Sequence, residues 1–245
     1  MGFAMVAGGK PDMAAPSTGI LASDLAVGTS VYLMEDGVAT EYLVLNQGIP
    51  SGSSLYDASC DGLWLIRNEV ITKMKWNAVN SNVLETSDVQ TWLNGDMLSK
   101  FDSSTQDAIK QVKIPYRKNG GLNGSDQSGA NGLSCKVFLL SGYEVGWTTS
   151  NNKLLPIDGA KLDYFDSGTD TSANNKRISY FNGSAVSWWL RSPRTNDPAG
   201  LHVVHLNGND YDGGGTTNIY GVRPALVLPS TALFDKNTLV LKGVV

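Results

Sequence analysis

"WWLRSPRTNDPAGLHVVHLNGNDYDGGGTTNIYGVRPALVL" (residues 188–228) is apolar at its two ends and polar between them. Trp188, Trp189 and Leu190 precede the polar run, and Val222 and the "ALVL" of 225–228 follow it; all are residue types that bury in strands. Neighbouring strand residues face opposite sides, so one tryptophan is expected in the core and the other towards the loops or a second layer. The run is therefore read as anchored at both ends. Its short polar side chains lose little rotamer freedom when a partner fixes them, as a binding surface requires. The candidate ligand-binding residues are Arg194, Thr195, Asn196, Asp197, His202, Val204, His205, Asn207, Asn209, Asp210, Tyr211, Asp212, Thr216, Thr217 and Asn218.

Other chemistry in the run is weaker. His202 and His205 lie three apart, and on a strand they would point to opposite faces, so no metal site is assigned to them. Asp210 and Asp212 share a face and are candidates for holding calcium, but the run lacks a clear calcium signature and solvated turn aspartates are the reading adopted. Gly213, Gly214 and Gly215 precede neither a lysine nor a helix start, so they read as a flexible turn rather than a phosphate loop. Arg191 and Arg223 are candidates either for a ligand carboxylate or for pairing with a buried acid.

Outside the run, composition narrows the classes. The 245 residues are 41% hydrophobic, enough for a substantial core, and the formal charge is −4 with no basic block, which argues against nucleic acid as a partner. No basic leader opens the chain and no run of about 18 apolar residues occurs, so neither a signal peptide nor membrane insertion is expected. Residues 1–20 are small and poor in large apolar groups and read as a flexible arm before a single domain, 21–245. Cys60 and Cys135 lack CxxC spacing and read as buried free thiols.

Strand patterns run through "TSVYLMED" and "EYLVLNQG", which flank a turn at Glu35-Asp36-Gly37, and through "GLWLIRNEV". Ser87 and Gln90 form a capping box for a helix over "DVQTWLNGDML", with Val89, Trp92 and Leu93 on one face. A second helix is read over "STQDAIKQV", from Ile109 and Val112, and "SCKVFLLSGYEVGW" returns to strand. The fold class expected is α+β, with two short helices and a loop-rich, mostly antiparallel β C-terminal part.

Six segments in order, "LYDASCDGLWLIR", "IKQVKIPYRK", "SGANGLSCKVFLLSGYEVGWT", "NNKRI", "WWLRSP" and "YGVRPALVLPS", carry a resemblance to a family of bacterial and bacteriophage proteins. That family resembles the C-type lectin fold, in the branch shared with formylglycine-generating enzymes and the variable proteins of diversity-generating retroelements. The resemblance implies a C-type lectin-like scaffold whose variable-type segment, about 190–225, displays binding loops on a phage tail or cell surface. Retroelement targets cannot place Lys, Glu, Gln, Met or Trp at diversified asparagine codons. These types number 13, 5, 5, 6 and 6 in the chain, yet none falls between Leu190 and Asp235, where the chain's own frequency would put some six or seven.

Three functions follow. The first, and the one adopted, is a binding module with no catalysis and no cofactor, gripping a cell-surface protein or glycan receptor through residues 194–218. In that reading the arm at 1–20 attaches to virion or tail components, and the protein works on the virion or at the extracellular surface. The second is an enzyme of the formylglycine-generating type, which needs Cys60 and Cys135 as thiolates at a copper site. The third is a structural virion component with no binding role.

Overall fold

The computed structural model describes residues 19–245. Residues 1–18 of the expected arm lie outside the described residues, while Gly19 and Ile20 open a strand, β1 (Gly19–Leu21). That strand pairs with β18 (Ala232–Asp235), which in turn pairs with β19 (Leu241–Val244).

Two five-stranded sheets hold most of the domain. The first orders β10 (Val137–Phe138), β17 (Ala225–Leu228), β4 (Leu63–Arg67), β3 (Val38–Gln47) and β2 (Ser30–Glu35), all antiparallel. The second orders β15 (Asp210–Gly215), β14 (Gly200–Val204), β13 (Trp188–Pro193), β16 (Ile219–Val222) and β5 (Thr72–Lys75). Its one parallel contact joins Trp188 of β13 to Gly221 of β16. Three small pairs complete the strands: β6 (Val112–Ile114) with β9 (Leu133–Cys135), β7 (Tyr116–Lys118) with β8 (Ser125–Gln127), and β11 (Ser179–Phe181) with β12 (Ser184–Val186). The β2–β3 hairpin turns at Asp36 and Gly37, both at positive φ (48° and 79°), the backbone a two-residue turn demands.

Helical structure is sparse. α1 (Asp88–Trp92) continues through a π turn (Leu93–Met97) into α2 (Leu98–Lys100), and the Ser87 hydroxyl accepts from the Gln90 N–H as the capping box requires. α3 (Ser103–Ala108) is capped by Asp102 and is shorter than the sequence suggests, because the chain turns extended at Ile109 and Val112 joins β6. α4 (Thr171–Asn175) is a single turn capped by Asp170.

The expected α+β, C-type lectin-like class is therefore corrected. The fold is β-rich and mostly antiparallel, with 37% strand, 17% helix and, among the described residues, one helix of seven or more residues. The physical reason is the short reach of the helical pattern: two apolar positions at helical spacing, such as Ile109 and Val112, fit a strand edge equally well. The strand expected over "SCKVFLLSGYEVGW" also shrinks to β9 and β10, with turns beyond Ser141.

Strands β4, β13 and β17 are buried on both faces, so their residues read as continuous apolar runs. Alternate residues feed two cores. Leu63, Leu65, Trp189, Leu226 and Leu228 enter one, with Val89, Leu93 and Met97 of the long helix. Trp64, Ile66, Trp188, Leu190, Ala225 and Val227 enter the other, with Phe138, Trp147 and Phe165. Both tryptophans of the pair are thus core residues, one in each, and neither faces the loops. Trp189 packs edge-on between Trp76 and Tyr220 at ring centroid distances of 5.9 and 4.7 Å, and its indole N–H donates to the Met74 carbonyl.

Candidate functional site

The polar run does not form one loop. From its anchor in β13 it makes a loop at 194–199, strand β14, a turn at 205–209, strand β15 and a turn at 216–218. The first loop and last turn meet at one end of the β14–β15 hairpin; the middle turn lies at the other. The fifteen candidate residues are therefore divided between two ends and an edge.

His202, Val204 and Thr216 are fully buried and cannot meet a partner directly. His202 and Val204 lie on β14, whose five residues are all buried between β13 and β15. The Thr216 hydroxyl points at Val79 and Asn80, and its amide donates to Ala199. Arg194, Thr195 and Asp197 are half-buried. Asp197 accepts from the amides of Ala199 and Gly200 and lies 3.6 Å from Arg194, so it shapes its own loop. Asn196, Thr217 and Asn218 are exposed at this end. The organiser here is Asn82, remote in sequence and buried, which donates to the Asp197 and Gly200 carbonyls and accepts from the Gly121 amide.

At the opposite end and along the outer edge, the run offers its most coherent surface. The turn is stiff: the His205 amide donates to Asn209, the Gly208 amide to His205, and the Leu206 amide to the Ser187 hydroxyl. Gly208 sits at φ +83° with the Asn174 carbonyl 2.0 Å from where a Cβ would stand, so only glycine fits. Asn174 also donates to the Asn209 side chain at 2.6 Å. Leu206 and Tyr211 are 48% and 43% exposed, and the Tyr211 ring lies 6.1 Å from that of His205. Asn207 and Asn209 are exposed beside them.

Asp210 and Asp212 belong to strand β15 and are half-buried, not solvated turn residues. They share a face, as read from spacing, because Asn152 Nδ2 donates to both, at 2.9 and 3.1 Å. Asp210 also lies 3.1 Å from His202 Nδ1. The three glycines expected as a turn are strand too: Gly214 packs where a Cβ would be 2.7 Å from Val203 and 3.1 Å from the Trp189 ring. The glycines let β15 lie flat on the β13–β14 pair. No sequence signal marked Asn82, Asn152 or Asn174, since each acts through a partner 35 to 118 residues away.

The two arginines divide. Arg191 forms a fully buried bidentate pair with Glu144, both contacts 2.6 Å, and donates further to the Pro115, Leu139 and Asp158 carbonyls. All five guanidinium donors are thereby used, so Arg191 is structural and not a ligand reader. Asp158, whose carboxylate accepts from Ser192, is pushed up to about 7 by burial. Arg223 has no such acid among the described residues; its guanidinium lies 5.2 Å from the Trp188 ring centroid.

Cys60 and Cys135 are free and buried, as the sequence suggests. Burial pushes their thiols up to about 11 and about 12. Thiolate chemistry is disfavoured at both. Neither is expected to react with iodoacetamide near pH 8 in the folded protein, whereas both should label in urea; labelling under native conditions would contradict this burial.

A separate groove of about 490 Å³ lies between the β2–β3 turn, β5 and the long helix. Its charges neutralise one another: Glu35 accepts from Tyr42 and Arg67, and Asp36 pairs with Lys100. The hairpin edge, with its exposed leucine and tyrosine beside short amides, is the better candidate. No helix among the described residues is long and apolar enough to cross a membrane.

Neither the curated proteins nor the solved structures contain a match to this chain. The family described as domain of unknown function DUF6273 matches residues 61–230, from just before β4 through the whole polar run and β17, and the chain belongs to that family.

Proposed function

We propose that the protein is a binding module that grips a cell-surface protein or glycan with the β14–β15 hairpin edge. The observation that carries this reading is the exposed strip of Leu206, Asn207, Asn209 and Tyr211, with His205 half-buried beside it, on a turn fixed from beneath by Asn174 and Ser187. A rigid base removes the ordering penalty of binding, and an aromatic ring flanked by short amides is the composition of adaptable binding surfaces. The absence of Lys, Glu, Gln, Met and Trp from 190–235 favours the same segment as the place where sequence variation is tolerated. Asn196, Thr217 and Asn218, at the other end of the hairpin, form a second and smaller contact surface in this reading.

The test is retention on bacterial cells. Tyr211→Ala combined with Leu206→Ala should cut retention at least tenfold with a melting temperature close to that of the parent protein. Equal retention by parent and variant would sink the proposal.

A further inference from the structure

Three arginines of the domain are buried, and they are not treated alike. Arg177 donates to the Val145, Asp166 and Gly168 carbonyls and to the Asn174 side chain. Arg191 uses all five donors, two of them on Glu144. Arg223 is 2% exposed and makes one hydrogen bond, from Nε to the Arg67 carbonyl. Its Nη1 is buried with no partner, and no carboxylate forms an ion pair with it among the described residues.

A buried guanidinium presents two parallel N–H pairs at its outer end, and leaving them unpaired is costly. Burial lowers Arg223 to about 10, so it stays charged at neutral pH. The face of the Trp188 ring stabilises the cation but takes none of its N–H groups. The side chain is held in place at Nε and over the indole, which leaves the N–H groups of Nη1 to donate to an anion.

We propose that Arg223 is the binding group of an oxyanion site, taking a carboxylate or a phosphate through its unpartnered Nη1. This site uses none of the residues of the hairpin edge and goes beyond the binding function proposed above. The aromatic wall and the absence of a counter-ion among the described residues make the ligand a small anion or an anionic group on a larger molecule.

The experiment is thermal unfolding of the full chain in sodium acetate, sodium phosphate and sodium chloride at matched ionic strength, for the wild-type protein and Arg223→Met. Acetate or phosphate should raise the wild-type melting temperature over chloride by a few degrees in a saturable way, and the variant should lose that increment. A rise in acetate assigns a carboxylate site, and a rise in phosphate alone assigns a tetrahedral one. General salting-out by phosphate appears equally in the variant and is removed by the comparison. No rise in either salt, or an equal rise in Arg223→Met, overturns the proposal. Should the variant not fold, the Nε–Hε resonance of Arg223 in the wild-type protein decides: a saturable shift on titration supports the site, and an unmoved resonance overturns it.

Discussion

Replacing Glu144 by alanine should destabilise the domain by about 3–5 kcal/mol, because it leaves the Arg191 guanidinium buried without its counter-charge. The pair is fully buried with both contacts at 2.6 Å, and Glu144 also accepts from the Tyr56 hydroxyl and the Ser141 amide. One deletion therefore orphans donors on β13, on the turn after β10 and on Tyr56. For a chain of this length the loss corresponds to a fall in melting temperature of roughly 10 °C. Arg191→Met should be similarly harmful. The double variant Glu144→Ala with Arg191→Met should lose less than the two single losses combined, since no charge is then left alone. Urea unfolding of the four proteins reads the coupling directly. A loss below about 1 kcal/mol for Glu144→Ala, the size typical of an exposed pair, would refute this account of the core.

The second large effect concerns pH. Asp158 is buried, its Oδ2 accepts from Ser192, and its Oδ1 has no partner. Burial is the main cause of its rise from 3.8 to about 7, partly offset by the neighbouring Arg191. Between these values the folded protein holds a proton that the unfolded chain has released, so stability falls as pH rises. The contribution is complete below about pH 4 and is lost as pH rises through about 7. Asp158→Asn keeps the shape and stays neutral throughout. Its stability relative to wild type should increase by about 2 kcal/mol between pH 5 and pH 8. A difference that stays the same at both pH values would show that the carboxyl is already ionised in the fold.

These two effects lie in one buried polar layer, and little of it was legible in the sequence. Arg191 was recognisable as a residue beside a core strand, and pairing with a buried acid was one of its two readings. Which acid was not, because Glu144 is 47 residues away and reaches it only through the folded path after β10. The hairpin at Asp36-Gly37 and the helix start at Ser87 were legible for the opposite reason: each is decided by residues within three positions of one another. The second helix was overread, since Ile109 and Val112 carry too little periodicity to separate a helix from a strand. The polar run was recognised as lying between buried anchors, but its interior was misjudged. Glycine and aspartate read as turn formers, yet at 210–215 they form an edge strand whose missing side chains make room for Trp189 and Val203.

By itself the sequence determined the anchors: Trp188, Trp189, Leu190 and the apolar strand at 225–228 are buried because apolar surface has nowhere better to go. It also determined that the residues between them carry short polar side chains. Only the tertiary structure decided which of those side chains reach solvent. Burial of His202, Val204 and Thr216, and exposure of Leu206, Asn207 and Tyr211, depend on β14 being sandwiched between β13 and β15 and on Asn82, Asn152 and Asn174 arriving from elsewhere in the chain. Strand neighbours and long-range hydrogen bonds are properties of the path of the whole chain, and no local spacing encodes them.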